Sequence, residues 1–146
     1  MEPEVFHFTT DVRVRLPETD AMGIVFHGYF FTYMEVGRMD YLRNLGLAAD
    51  IKPIAAFTNL VAHAECDFKS PARFDDALVV AVRIASIAHS SFTFKFRITH
   101  RRENRLVALA RSVHVAVDET NWRPMQVSDS FRQVVAAYEG RALEMA

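Results

Sequence analysis

Asp20 and His27 stand seven positions apart in the stretch ETDAMGIVFHGYFFTYMEVGRMDYLRNLG, residues 18 to 46, where a polar, turn-rich preface runs into an unusually aromatic helical pattern. The spacing puts a carboxylate in a loop and a histidine where a helix begins. A helix N-terminus carries unsatisfied N–H donors and about half a positive charge, so it stabilises an oxyanion forming on a carbonyl directed at it. A carboxylate in the same loop can attack that carbonyl or activate a water beside it. These two elements suffice for acyl transfer from a good leaving group such as a thiolate, whose pKa of about 8.5 by analogy with cysteine demands little acid assistance. Asp20 equally suits a turn or N-cap, and His27 a ring packed on the helix start, so spacing alone leaves both readings open.

Other candidates carry less. Glu35 and Arg38 are three apart on the helical pattern; they read as an ion pair, with Glu35 facing a substrate channel as the alternative. Arg97, Arg101, Arg102 and Arg105 surround one turn, which reads as a solvated hairpin tip or a phosphate contact. Ser90 and Ser91 are ordinary turn residues. The six histidines show no HxxxH or HExxH spacing, and the lone Cys66 has no cysteine partner, so no metal site is expected. There is no GxSxG elbow, Walker loop or GxGxxG loop.

The elements that must position these residues follow from periodicity. Phe6, Phe8, Val12, Val14 and Leu16 share one parity, which predicts a strand over 6–16, stopped by Pro17. Tyr29, Phe30, Tyr33, Met34, Gly37, Tyr41 and Leu45 recur at spacings of three and four, which predicts a helix from Gly28 to Leu45 with Gly46 as its stop. Apolar residues spread so far around it that it should be enclosed on most sides. Gly37 in mid-helix costs about 1 kcal/mol against alanine and points to close approach by another element. Four strands are expected at 60–68, 77–87, 91–101 and 106–118, the last three joined by hairpins; Ser128 should cap a terminal helix. An antiparallel sheet following one very apolar helix can dry that helix by curling around it, which makes the chain α+β. The sparsely charged last strand predicts a central place and a dimer.

At 146 residues, with 17 basic and 18 acidic side chains, the chain reads as one domain, 1–146, with no field to collect nucleic acid or an anionic membrane. No apolar run reaches membrane-spanning length. One cysteine and no signal-peptide pattern predict a cytoplasmic protein.

TDAMGIVFHGYFFTYMEVGR resembles the Asp-x-x-Gly-x-Val-x-His/Tyr stretch, followed by a Glu-containing helix, of hotdog-fold acyl-CoA thioesterases of the 4-hydroxybenzoyl-CoA thioesterase type. ECDFKSPARFDDALVV and IAHSSFTFKFRI resemble that family's later blocks, in order, so the likeness spans most of residues 8 to 118. The resemblance implies a sheet wrapped around one long helix, dimers that often pair into tetramers, and active sites at subunit boundaries. It maps the catalytic aspartate to Asp20 and the carbonyl-polarising N–H to His27, with Gly28 and Tyr29 at the substrate. It places coenzyme A near the HSS turn and the basic strand ends, of this chain or of the neighbouring subunit, carries its contacts only weakly to Ser90 and Ser91, and leaves Glu35 in reserve. Coenzyme A or acyl carrier protein would belong to the substrate, with no separate cofactor. A hotdog hydratase or dehydratase and a non-catalytic acyl-thioester-binding protein are the alternatives; the hydratase-type Asp-x-Asn-Pro-x-His run is absent.

Overall fold

The alternating stretches pair into one antiparallel sheet. In the computed structural model, which describes residues 4–49, 52–53 and 58–145, the strands are β1 (Phe8–Arg13), β2 (Thr58–Phe68), β3 (Ala77–Ile87), β4 (Ser91–His100) and β5 (Leu106–Val117). Their spatial order is β1-β3-β4-β5-β2. Residues 144–145 add a short parallel pairing at the end of β3, and residues 48–49 pair with 52–53.

Alternation in β4 sets the layers. Phe92, Phe94, Phe96 and Ile98 are fully buried on the inner face, and the residues between them lie half-buried on the outer one. β5 lies between β4 and β2, the interior place its sparse charge predicts. The β3–β4 turn closes through the Ala88 N–H on the Ser91 carbonyl at 2.7 Å. The β4–β5 turn closes through the His100 N–H on the Arg105 carbonyl at 2.9 Å, with Asn104 left-handed at φ 52°.

Helix α1 (Tyr29–Asn44) lies across the inner face. Gly37 is where it touches the sheet: a Cβ there would stand 2.8 Å from Val80 Cγ1 and 2.9 Å from Val82 Cγ2, so only glycine lets the helix come this close to β3. Tyr41 packs edge-on against Phe8, Phe94 and Tyr138. Gly46, at φ 72°, ends the helix, and the Leu47 N–H returns to the Leu42 carbonyl at 2.8 Å.

Two expectations are corrected. The first strand ends at Arg13, not near Leu16, because Pro17 sits in a 3-10 turn over Leu16–Glu18 that swings Leu16 out to 63% exposure. The helix is not enclosed on most sides within one chain. The sheet covers Tyr33, Met34, Gly37 and Tyr41, while Phe31, Glu35 and Val36 stay exposed. β2 is uncovered in the same way, exposed on both faces along most of its length.

Helix α2 (Asp129–Glu139) starts at Ser128, whose Oγ accepts the Phe131 N–H. Phe131 and Val135 enter the core, and Arg132 donates to the Ala88 and His89 carbonyls, covering the 89–91 turn. Glu139 is buried, and its Oε2 accepts from the Tyr41 hydroxyl and the Ile84 N–H. No helix among the described residues is long and apolar enough to cross a membrane.

Candidate active site

The preface to α1 is a small hairpin of its own. The Phe26 N–H bonds the Glu18 carbonyl and the Asp20 N–H bonds the Ile24 carbonyl, both at 2.9 Å, with Gly23 at φ 79° forming the tip. The Val25 N–H continues the ladder to the Ala72 carbonyl at 2.8 Å, and Ile24 bridges to Arg73. The loop after β2 thus holds the preface from the other side.

Glu18 locks this assembly to the helix. Its carboxylate, only 3% exposed, accepts the Arg15 N–H and the Arg15 guanidinium at 2.9 Å each and the Tyr33 hydroxyl at 2.8 Å. Burial pushes its pKa up, but the Arg15 N–H, the Tyr33 hydroxyl and the Arg15 guanidinium together outweigh that and hold it below its ordinary value. Burial, then the Glu18 carboxylate, push the Tyr33 phenol far up, so Tyr33 remains a neutral donor.

Asp20 stands exposed on the hairpin. Its Oδ1 accepts the Met22 N–H at 2.9 Å, which is the turn role its residue type favours; Oδ2 takes no hydrogen bond from the described residues. The helix start is equally open. Gly28 is the N-cap and supplies no side-chain cap, and no acidic residue sits in the first turn. The N–H groups of Tyr29, Phe30 and Phe31 are already bonded, to the carbonyls of Phe26, His27 and Gly28, so the N–H groups of His27 and Gly28 are the ones left without an acceptor among the described residues. The His27 ring lies tilted on Phe26 at 4.4 Å and edge-on to Phe68 at 6.1 Å. Tyr29 begins the helix half-buried.

Beside this helix start opens a cavity of about 370 Å³, lined by His27 and Phe30 from the helix side, Ile24 from the hairpin, and Phe68, Ser70 and Ala72 from the end of β2 and its loop. Lys69 adds a cation with no ion-pair partner among the described residues. Its volume and mainly apolar walls suit an organic ligand. The walls contributed by 68–72 were not singled out in the sequence. The Ile24 and Val25 bridges join that loop to the hairpin, and Val107, Leu106 and Arg105 hold it from the β5 side.

The remaining candidates separate. Glu35 accepts from Arg38 Nε at 2.9 Å, so the ion pair exists, and both also line a second cavity one helical turn farther on. Ser90 and Ser91 lie in the turn at the far end of β3, an 11-residue strand whose other end adjoins the Asp20 loop; at about 3.3 Å per residue that is roughly 30 Å away. Within one chain they do not meet Asp20. Of the hairpin arginines, Arg101 pairs with Asp11, Arg105 donates to Ser70 Oγ at 2.8 Å and to the Pro71 carbonyl at 2.6 Å, and Arg97 stacks over Phe6 at 4.7 Å. No cluster of three or more potential metal ligands forms among the described residues.

A sheet wrapped against one long helix is the hotdog arrangement, and residues 14–135 match the model of the thioesterase-like superfamily. The chain belongs to that superfamily. It is 29% identical over 123 residues to the acyl-CoA thioester hydrolase YbgC of Escherichia coli, covering 84% of this chain and 91% of that one. Among solved structures, it superposes with a TM-score of 0.80 on a thioesterase from Thermus thermophilus complexed with coenzyme A and zinc, at 26% identity over 93% of this chain and 96% of that one. The Synechocystis 1,4-dihydroxy-2-naphthoyl-CoA thioesterase Slr0204 also superposes with a TM-score of 0.80, at 23% identity over 88% and 95% of the two chains.

Proposed function

We propose that this chain is an acyl-CoA thioesterase that uses water to release a free acid and coenzyme A. The observation that carries the reading is the uncapped start of α1, where the His27 and Gly28 N–H groups are free beside a ligand-sized cavity and an exposed loop carboxylate. The thioester carbonyl would point at those N–H groups, which hold its oxygen as negative charge develops. Asp20, with Oδ2 free, either attacks the carbonyl carbon, giving a mixed anhydride that water then hydrolyses to the free acid and Asp20, or takes a proton from an attacking water; in both the thiolate leaves without an acid. The chemistry calls for no metal or bound cofactor. Acyl carrier protein presents the same pantetheine arm and is an alternative carrier. Cytoplasmic residence fits the single free Cys66, whose thiol is pushed up to about 11 by burial and by Asp67.

We further assign a two-fold dimer, joined edge to edge through β2. Among the described residues, its 11 residues pair only with β5, with Leu60 and Val61 exposed. Antiparallel pairing of two copies sets the Thr58 end of one against the Phe68 end of the other. Thr58 pairs with Val117, and the neighbouring Ala116 N–H bonds the Ser90 carbonyl, so the second copy's 89–91 turn would arrive at this chain's Asp20 end. That pairing gives Ser90 and Ser91 a route to coenzyme A. Two such dimers meeting through their outer sheet faces would make the tetramer.

Thiol release from short, medium, long and aromatic acyl-CoAs, measured with wild type and Asp20→Asn, tests the reading. A fall of at least about 100-fold in kcat/KM is expected; comparable turnover by the two proteins overturns it.

A further inference from the structure

Ser112 and His114 point from β5 into the second cavity, between α1 and the sheet. Its volume is about 170 Å³, and its walls include Phe31 and Met34 from the helix, Ala64 from β2 and Phe96 from β4. A space of this size takes roughly one ring or the end of an alkyl chain, since a cavity of about 150 Å³ holds benzene. Its floor is polar and buried: Ser112 is 5% exposed and His114 2%.

His114 has an unmet valence. Its Nε2 lies 3.0 Å from Ser112 Oγ, its ring stacks on Phe92, and its Nδ1 has no hydrogen-bond partner among the described residues. Burial, then the Arg38 charge, lower its pKa to about 4, so the ring is neutral and one nitrogen carries the proton. An orphaned buried N–H is rarer than an orphaned lone pair, which puts the proton on Nε2, donating to Ser112 Oγ. The Ser112 hydroxyl hydrogen is then left with no acceptor among the described residues. It is a donor held on the floor of a space whose other walls are apolar apart from the Glu35–Arg38 ion pair.

The second cavity lies along the same seam as the first. His27, Phe30 and Phe68 line one, and Phe31, Met34 and Ala64 the other, so both run between α1 and β2. From the free N–H of Gly28 to Met34 and Arg38 is about 9 to 15 Å at 1.5 Å per residue. An extended chain advances roughly 1.2 Å per bond, so an acyl group held at the helix start would reach Ser112 with roughly eight to twelve carbons. A single aromatic ring falls short. Arg38 is already neutralised by Glu35 on the cavity wall, which leaves no free charge for a distal carboxylate.

We propose that this cavity is the distal acyl subsite, and that Ser112, oriented by His114, selects medium-length acyl chains bearing a neutral hydroxyl or keto oxygen near their far end. The proposal rests on the thioesterase reading for the position of the acyl group. The experiment compares kcat/KM for decanoyl-CoA and 10-hydroxydecanoyl-CoA, alongside calorimetric binding of free decanoic and 10-hydroxydecanoic acids. Wild type should favour the hydroxylated member of each pair by about 10-fold. Ser112→Ala should bring both ratios to about one, as should His114→Phe, whose ring suits the Phe92 and Phe94 surroundings. A wild-type ratio at or below one in both measurements overturns the proposal, as does a ratio that persists in a folded Ser112→Ala. If no acyl-CoA is hydrolysed, the thioesterase reading falls, and the acid-binding ratio alone decides the subsite.

Discussion

The Tyr33 hydroxyl donates to the Glu18 carboxylate at 2.8 Å across 15 residues of sequence, tying the second turn of α1 to the hairpin that carries Asp20. The carboxylate that could react is therefore placed by one that does not. Glu18→Gln keeps the shape but loses the charge that draws the Arg15 guanidinium and N–H. We expect a loss of about 2 kcal/mol, within the range for charge-assisted bonds, and a fall in Tm of roughly 4–8 °C for a chain of this size. Thermal melts check the first effect, and kcat for a fixed acyl-CoA the loosening of Asp20.

The same carboxylate gives a pH signature. Its folded pKa lies below the ordinary 4.5, so it stabilises the fold fully above that value, and the contribution disappears as pH falls through the folded pKa. Melts between pH 3 and 6 should show wild type losing stability faster than Glu18→Gln as acid is added, with the two curves converging at the low end.

Backbone and side-chain roles at the helix start separate cleanly. His27→Ala keeps the N–H and removes only a ring lying against Phe26 and Phe68, so kcat should stay within about threefold. Gly28→Pro removes a free N–H at a residue whose φ of −61° already suits proline, though its Cβ would stand 3.0 Å from the exposed Phe26 ring and push it aside; kcat should fall about 100-fold, with Gly28→Ala, which makes the same contact and keeps the N–H, as the control. The reverse pattern would move the chemistry to the imidazole.

Gly37→Ala tests the helix-to-sheet contact. Alanine favours the helix by about 1 kcal/mol, but its Cβ would collide with the fully buried Val80 and Val82, and overpacking of this kind costs about 1–3 kcal/mol. A net loss of stability is expected, and Val80→Ala in the same chain should recover part of it, measured as a double-mutant cycle.

The proposed dimer predicts that wild type elutes as a dimer or tetramer by light scattering, and that Val61→Lys on the β2 edge shifts it toward monomer and lowers turnover. A wild-type monomer with full activity would remove the dimer from the account.

Much of this was written locally. The alternation from Phe92 to Ile98, the three-and-four spacing from Tyr29 to Tyr41 and the odd glycine at 37 each state their element within a dozen residues. Asp20 beside a helix start is likewise visible in one stretch, because both parts of the arrangement are neighbours in the chain. What stayed hidden depends on distant segments. Glu18 reads as one more loop carboxylate until Tyr33 folds over it, and Phe68 to Ala72 become cavity walls through partners distant in sequence, Ile24 and Val25 on one side and Arg105 to Ala108 on the other. Whether Ser90 and Ser91 serve this chain's site or the neighbouring subunit's is not written in the sequence; they lie a strand's length from Asp20, because a hairpin turn's position in space is set by the strand before it.

Glu139, at the end of α2, takes the Tyr41 hydroxyl from the central helix and the Ile84 N–H from the sheet, just beyond Val82, the last residue of β3 that pairs with β1. That carboxylate takes over the edge of β3 where β1 has run out. Truncation ahead of Asp129 would strip the core of Phe131 and Val135 and leave both donors facing a hole, so the final segment closes the fold and is not a detachable tail.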